Sequence, residues 1–433
     1  MKKAALILVC MLPLLVTCGG KSTSPHDQQG GTIPTPGTYV VLAWNDLGMH
    51  CLNPTYDRLV VLPPFNTVWA QVIKRGATPE IVTSGITVEY AIEGNTYSYG
   101  KKSFAGFWDN AVKLFGTIFG ISSLPHDVGL TGHGLSGQMT VEGNHFVVTG
   151  IPLTPYLDNG TWNPYQVADI TVKDQQGTVL VSTKAMVPTS DEMHCEKCHG
   201  ADPFGDIIAK HDAANQTNLA AGQPHLCAEC HGSPALGLMT EGTSGVFLSK
   251  AIHEFHADKG AACYDCHPGP QTKCSRSVRH TAPDGNCVAC HGTMAVVAST
   301  IPATRIPWVN EPRCALCHAA DGVDTGMALY RNSTGHGGLY CEACHQSPHA
   351  MVPSQQATDN YQAIQYQGTP VKTIGSCGVC HDSSRGADLS EFGEAHGGTN
   401  PERQNACHVC HTVVSASNTA QWPHAFTWKN SNN

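Results

Sequence analysis

One five-residue unit, Cys-x-x-Cys-His, occurs eight times in the 433-residue chain. It stands at Cys195/Cys198/His199, Cys227/Cys230/His231, Cys263/Cys266/His267 and Cys287/Cys290/His291. It continues at Cys314/Cys317/His318, Cys341/Cys344/His345, Cys377/Cys380/His381 and Cys407/Cys410/His411. Two thiols at this spacing add across the two vinyl groups of one haem, and the turn between them carries the next imidazole under the iron as its proximal ligand. With 20 Cys and 24 His in the chain, random placement gives roughly 0.05 such units. Eight are not chance. A zinc site needs paired Cys-x-x-Cys units and has no use for a trailing His every time. A disulfide framework has no use for it either. The cofactor expected is therefore haem c, eight per chain.

A second imidazole on each iron would leave it six-coordinate and closed to substrates. Outside the motifs the last 244 residues hold eleven more histidines: 194, 211, 225, 253, 256, 280, 336, 349, 396, 408 and 424. His194 abuts Cys195, His408 lies inside an attachment loop, and His225 stands two residues before Cys227, so all three are poorly placed for their own haem. Setting them aside leaves His211, His253, His256, His280, His336, His349, His396 and His424, one for each motif. His253 and His256 lie three apart and share a face if Leu248–His256 is helical, so they serve two neighbouring haems or flank one. The pairing of each distal histidine with its haem is not readable.

Four cysteines remain. Cys10 lies in an N-terminal segment in which Lys2 and Lys3 precede a short apolar run, Ala4 to Val16, shaped like a secretory signal and short for a membrane span. Its end, Leu15-Val16-Thr17-Cys18-Gly19-Gly20, is lipobox-like. Cys18 is the candidate lipidation site, although Thr17 stands where a smaller residue is usual; the alternative is ordinary cleavage nearby. Residues 1–18 are thus the expected signal and 19–36 a Ser/Thr/Gly/Pro-rich tether. Cys51 and Cys274 are left. A disulfide between them would staple two zones of the chain in an oxidising compartment; two buried free thiols are the alternative. His50 beside Cys51 is a weak candidate for an end haem.

These sites need elements to hold them. Residues 37–189 carry apolar or β-branched runs at 38–43, 67–73, 86–92, 139–148, 168–172 and 179–183, separated by Gly, Asn, Asp and Pro. They read as an all-β sandwich, immunoglobulin-like in strand number. Residues 190–433 hold all the motifs, few apolar runs and no long amphipathic helix. This zone reads as loop-rich with short helices, with too little apolar side chain to fold on its own. At about 30 residues per motif the porphyrins themselves would form its core, so folding would depend on haem. The net charge of −9 argues against nucleic acid as a partner.

Trp44-Asn45-Asp46-Leu47-Gly48-Met49-His50-Cys51, then Leu62-Pro63-Pro64-Phe65-Asn66, then Ser190-Asp191-Glu192-Met193 entering the first motif resemble a family of large multihaem cytochromes of metal-respiring, Geobacter-type bacteria. His267-Pro268-Gly269-Pro270 with Cys274, and Gly335-His336-Gly337-Gly338-Leu339-Tyr340-Cys341, add to the likeness. The resemblance covers most of the mature chain. It implies a secreted or outer-surface protein that conducts electrons to metal oxides, electrodes, quinone analogues or other redox proteins, with some relatives polymerising into haem-lined filaments. The rival expectation is an octahaem reductase of nitrite, hydroxylamine or sulfur oxyanions. That chemistry needs an open iron, and eight motif histidines with eight spare ones count against it. No catalytic residue is assigned.

Overall fold

In the computed structural model, residues 37–382 are described, apart from 77, 281–286, 319–328, 369–370 and the side chain of Cys377. Cys10, Cys18, His396, Cys407, His408, Cys410, His411 and His424 lie outside the described residues.

Twelve strands are present: β1 (Tyr39–Asn45), β2 (His50–Cys51), β3 (Leu59–Val60), β4 (Asn66–Lys74), β5 (Glu80–Ile81), β6 (Ile86–Ile92), β7 (Ser136–Gln138), β8 (Thr140–Glu142), β9 (His145–Ile151), β10 (Tyr165–Asp174), β11 (Val179–Ser190) and β12 (His225–Leu226). One sheet runs β1-β4-β9-β8 with β5 on β4; a second runs β2-β11-β10-β6-β7. β12 pairs with β3, so the second motif starts from a short ladder to the β region. Alternation drives the folding. Along β10 every second residue is buried, and Ala168, Ile170 and Val172 meet Val41, Val68, Val88 and Val148 in a core shared by both sheets.

Eleven helices accompany them: α1 (Ala105–Asp109), α2 (Ala111–Phe119), α3 (Glu196–His199), α4 (Pro203–Asn215), α5 (Leu248–His256), α6 (Cys263–Cys266), α7 (Cys287–His291), α8 (Met294–Ser299), α9 (Ala315–His318), α10 (Cys341–His345) and α11 (Tyr361–Gln367). None is long and apolar enough to cross a membrane. Among the described residues the segment after residue 190 is loop-rich with short helices. α1 and α2 depart from the all-β reading of residues 37–189. Phe104, Phe107, Trp108, Ala111, Leu114 and Phe115 are buried at helical spacing, and most of them pack with Tyr56, Leu130 and Leu226 in a second core. Residues 139–148 also break into two strands, because Gly143 turns with φ 57° and Thr140–Glu142 pairs back onto 145–147.

The motif-bearing segment leans on the sheets. β1 is an edge strand, and α11 covers it with side chains. Gln362 accepts from Ala43 N at 2.9 Å and donates to the Ala43 carbonyl. Tyr366 Oη accepts from Val41 N and donates to Val41 O at 2.8 Å. An exposed row of strand donors and acceptors is thereby occupied. Deeper in, Arg276 makes a two-pronged buried ion pair with Asp359 at 2.9 and 3.1 Å, donates to the Gly48 carbonyl at 2.7 Å and lies over the Tyr165 ring. Losing one partner of such a pair costs about 3–5 kcal/mol, since the other charge stays buried.

His145, on β9, is buried, stacks on Trp69 at 4.2 Å and bonds Tyr340 Oη through Nδ1 at 3.2 Å. Burial pushes its pKa down from 6.5 to about 4. The folded protein therefore keeps His145 neutral while the unfolded chain takes up a proton below pH 6.5. The associated stability is complete above pH 6.5 and is lost as pH falls toward 4, up to ~3 kcal/mol. Denaturant midpoints at pH 7 and 4.5 test this: His145→Phe, which keeps a ring against Trp69, should show a smaller acid loss than the wild type. Equal losses would contradict it.

Candidate haem-ligand site

Each described motif folds as a single turn. In four of them the histidine N–H closes a bond to the first cysteine's carbonyl: His199 to Cys195 at 2.9 Å, His231 to Cys227 at 3.0 Å, His267 to Cys263 at 2.8 Å and His318 to Cys314 at 2.9 Å. An i→i+4 closure brings the imidazole onto the face of the first thiol. Burial pushes several of these thiols up, to about 11 for Cys227, Cys266 and Cys341 and about 12 for Cys344. Surroundings that disfavour a thiolate suit a neutral thioether better than a zinc ligand.

Among the described motif thiols, Cys198 and Cys230 are exposed, as are Cys290, Cys314 and Cys317. The local packing explains the first two. In the second motif Ala228 takes the inward position and is buried, which turns Cys230, two places further round the turn, outward. In the first motif Glu196 and Lys197 are exposed beside Cys198, so that side of the turn lies on the surface. Thioether attachment requires reach to a vinyl group and not burial.

Six motif histidines each face one of the histidines expected to be distal. The ring centres are 6.4 Å apart for His199–His256, 6.4 Å for His211–His231, 6.1 Å for His253–His267, 6.0 Å for His280–His318, 6.3 Å for His291–His349 and 6.3 Å for His336–His381. An iron between two imidazole nitrogens at about 2.0 Å, with each ring centre about 1.1 Å further on, sets the centres about 6 Å apart. All six fit. Among the described residues no three or more His, Cys, Asp or Glu side chains converge on a metal position. The donors come in twos, which suits a macrocycle that brings its own four nitrogens.

The far side of many rings is tied down. Nδ1 of His253 meets Ser249 O at 2.6 Å, Nδ1 of His256 meets Ile252 O at 2.8 Å and Nδ1 of His349 meets Leu47 O at 2.8 Å. A carbonyl only accepts, so Nδ1 carries the proton and Nε2 keeps its lone pair for a metal. His199 Nδ1 uses Asp206 at 2.7 Å, His211 uses Thr217 at 2.9 Å and His231 uses Ser244 at 2.9 Å. His345 Nδ1 lies 2.8 Å from Thr373 Oγ1, whose own proton goes to Cys344 O. The two remaining distal candidates, His396 and His424, lie outside the described residues. Desolvation by the surrounding chain also lowers the pKa of His231, His253, His280, His336 and His349, and takes His291 to about 4. Neutral imidazoles are the ligand form.

Of the histidines set aside, His194 and His225 are engaged elsewhere. His194 bonds Glu192, Glu196 and Gly269 O, and His225 bonds Ala221 O. His50 pairs with Asp46 at 2.9 Å. Cys51 and Cys274 are free thiols whose side chains hydrogen-bond each other. The supporting groups Asp206, Ser244, Thr373 and the Leu47 carbonyl were not singled out from sequence. Asp206, seven residues past His199 in the first turn of α4, had a positional signal; a backbone carbonyl has none.

Residues 255–327 match the cytochrome c3 family. The match takes in the third, fourth and fifth motifs together with His256 and His280. It supports a multihaem cytochrome, a chain that binds haem c and transfers electrons. No match is found among curated proteins or solved structures.

His349→Ala removes one imidazole from the His291–His349 pair and leaves the Cys287 and Cys290 thioethers intact. Haem content should stay at the wild-type value while one iron's worth of high-spin ferric signal appears in the EPR spectrum. An unchanged spectrum would remove His349 from the ligand set.

Proposed function

We propose that this chain is an exported octahaem c-type cytochrome that conducts electrons along closely packed, doubly imidazole-ligated haems. Six facing imidazole pairs, several with Nδ1 tied to the protein, carry the proposal. The paired histidines named above would hold six of the irons, and His396 and His424 would serve the haems of His345 and His411. The cysteines of the eight motifs, Cys377, Cys407 and Cys410 included, hold the rings. Bound haem iron supplies a one-electron ferric/ferrous couple. With imidazoles from both sides the polypeptide would close the iron to substrates, fix the imidazole tautomers and limit rearrangement on electron transfer.

Shared elements put the sites in an order. α4 carries both His211, facing the second motif, and Asp206, on the first motif's histidine. α5 carries His256 for the first motif and His253 for the third. His291 of the fourth motif feels the charge of His267 and His253. Cys290 lies near Cys317, Cys341 near Cys314, and Cys344 near Cys380. The path runs through motifs 2, 1, 3, 4, 5, 6 and 7. Delivery to metal oxides or other external acceptors at the cell surface, anchorage through Cys18 and assembly into filaments extend this reading from the sequence resemblance.

A reductive titration followed by oxidant addition tests it. The purified protein should take up eight electrons and return them to suspended ferric oxide, with no turnover of nitrite or hydroxylamine. Turnover of either, or uptake well below eight, would contradict the proposal.

A further inference from the structure

Sixteen of the chain's 20 cysteines belong to the eight motifs, and Cys10 and Cys18 lie in the N-terminal segment. The two left over, Cys51 and Cys274, are more than two hundred positions apart, yet their side chains meet. Both are held from several directions. Cys51 ends β2, which pairs in parallel with Thr189 and Ser190 of β11, and Leu52 N donates to Ser190 O at 3.1 Å. The loop before Cys274 is fastened to the same place: Gln271 N and Thr272 N donate to Glu192 at 3.1 and 2.8 Å, and Lys273 N donates to Tyr165 Oη at 2.9 Å. Arg276 then reaches back to the Gly48 carbonyl at 2.7 Å. Two sulfurs brought together by pinned backbones can join with little movement of either segment.

We propose that Cys51 and Cys274 are a dithiol–disulfide couple that fastens the β2 loop to the loop following the third motif. The structure describes its reduced form. On oxidation each thiol gives up its proton, the pair loses two electrons, and one S–S bond forms. A disulfide-bearing thiol oxidant of the exported compartment receives the electrons, its own S–S bond becoming two thiols. Cys51 also hydrogen-bonds the ring of His267, so oxidation removes an S–H group from the surroundings of the third motif's histidine. The cross-link needs nothing from the electron-transfer reading; only its effect on His267 rests on that reading.

The full haem-loaded protein, isolated without reductant, is denatured with iodoacetamide and weighed, then treated again after dithiothreitol. No added carbamidomethyl group before reduction and two afterwards, mapped to Cys51 and Cys274, is the expected result. Haem-bound cysteines do not react. Two groups added before reduction would overturn the proposal. In denaturant unfolding, Cys51→Ser, Cys274→Ser and the double variant should lower the midpoint equally, because each removes the same bond; additive losses would show independent thiols. If the variants do not mature, the wild-type mass result decides. Reducing the wild type should also move one low-spin EPR signal, with no such change in Cys274→Ser; an unmoved spectrum overturns the link to His267 and leaves the cross-link to the mass result.

Discussion

Two imidazoles share one iron only when their Nε2 atoms face each other across a gap that holds metal and macrocycle together. On the proposed reading this constraint organises the described part of the segment after residue 190. The motif fixes one imidazole by covalent chemistry and a single turn. The other comes from a separate piece of chain, so every pair ties two segments together: His256 to the first motif, His349 to the fourth, His336 to the seventh. Tying Nδ1 to a carbonyl or hydroxyl orients the ring and decides which nitrogen is offered. Short helices such as α5 serve this geometry more than they serve packing, and Phe255 and Leu316 remain exposed beside their histidines.

The β region supplies the rigidity that such a segment lacks. Every cluster of buried apolar residues among the described residues includes side chains from before residue 190. Ala343, Tyr366, Ile374 and Val379 pack with Val40, Leu42 and Trp44 of β1, and the Leu47 carbonyl orients His349 directly. The Asn45–Cys51 stretch thus connects scaffold and ligands. Asn45 Oδ1 receives Gly48 N at 2.6 Å to hold the turn, Gly48 offers its carbonyl to Arg276, and its left-handed φ of 78° keeps the backbone against Ser347, where a Cβ would collide.

Legibility in the sequence followed the range of the interaction. Thioether attachment needs contiguous residues, so the motifs were plain. Strand alternation is local, and β6 came out at Ile86–Ile92 and α5 at Leu248–His256, both as read. Six of the histidines chosen by elimination stand opposite a motif histidine, because the number of motifs set the number to look for. Which histidine serves which motif was hidden, since that depends on the tertiary path. The helices α1 and α2 were passed over although Phe104, Phe107, Trp108, Ala111 and Phe115 repeat at helical intervals, their Gly-rich, aromatic setting resembling the strands around them. The Leu47 carbonyl was beyond reach: any residue provides one.

Quantified EPR of the fully oxidised protein, read as spins per chain, tests the central claim most directly. Eight low-spin ferric irons without a high-spin component are expected from imidazoles on both faces of every haem. A high-spin fraction amounting to several irons, or a protein with no haem iron, would contradict it.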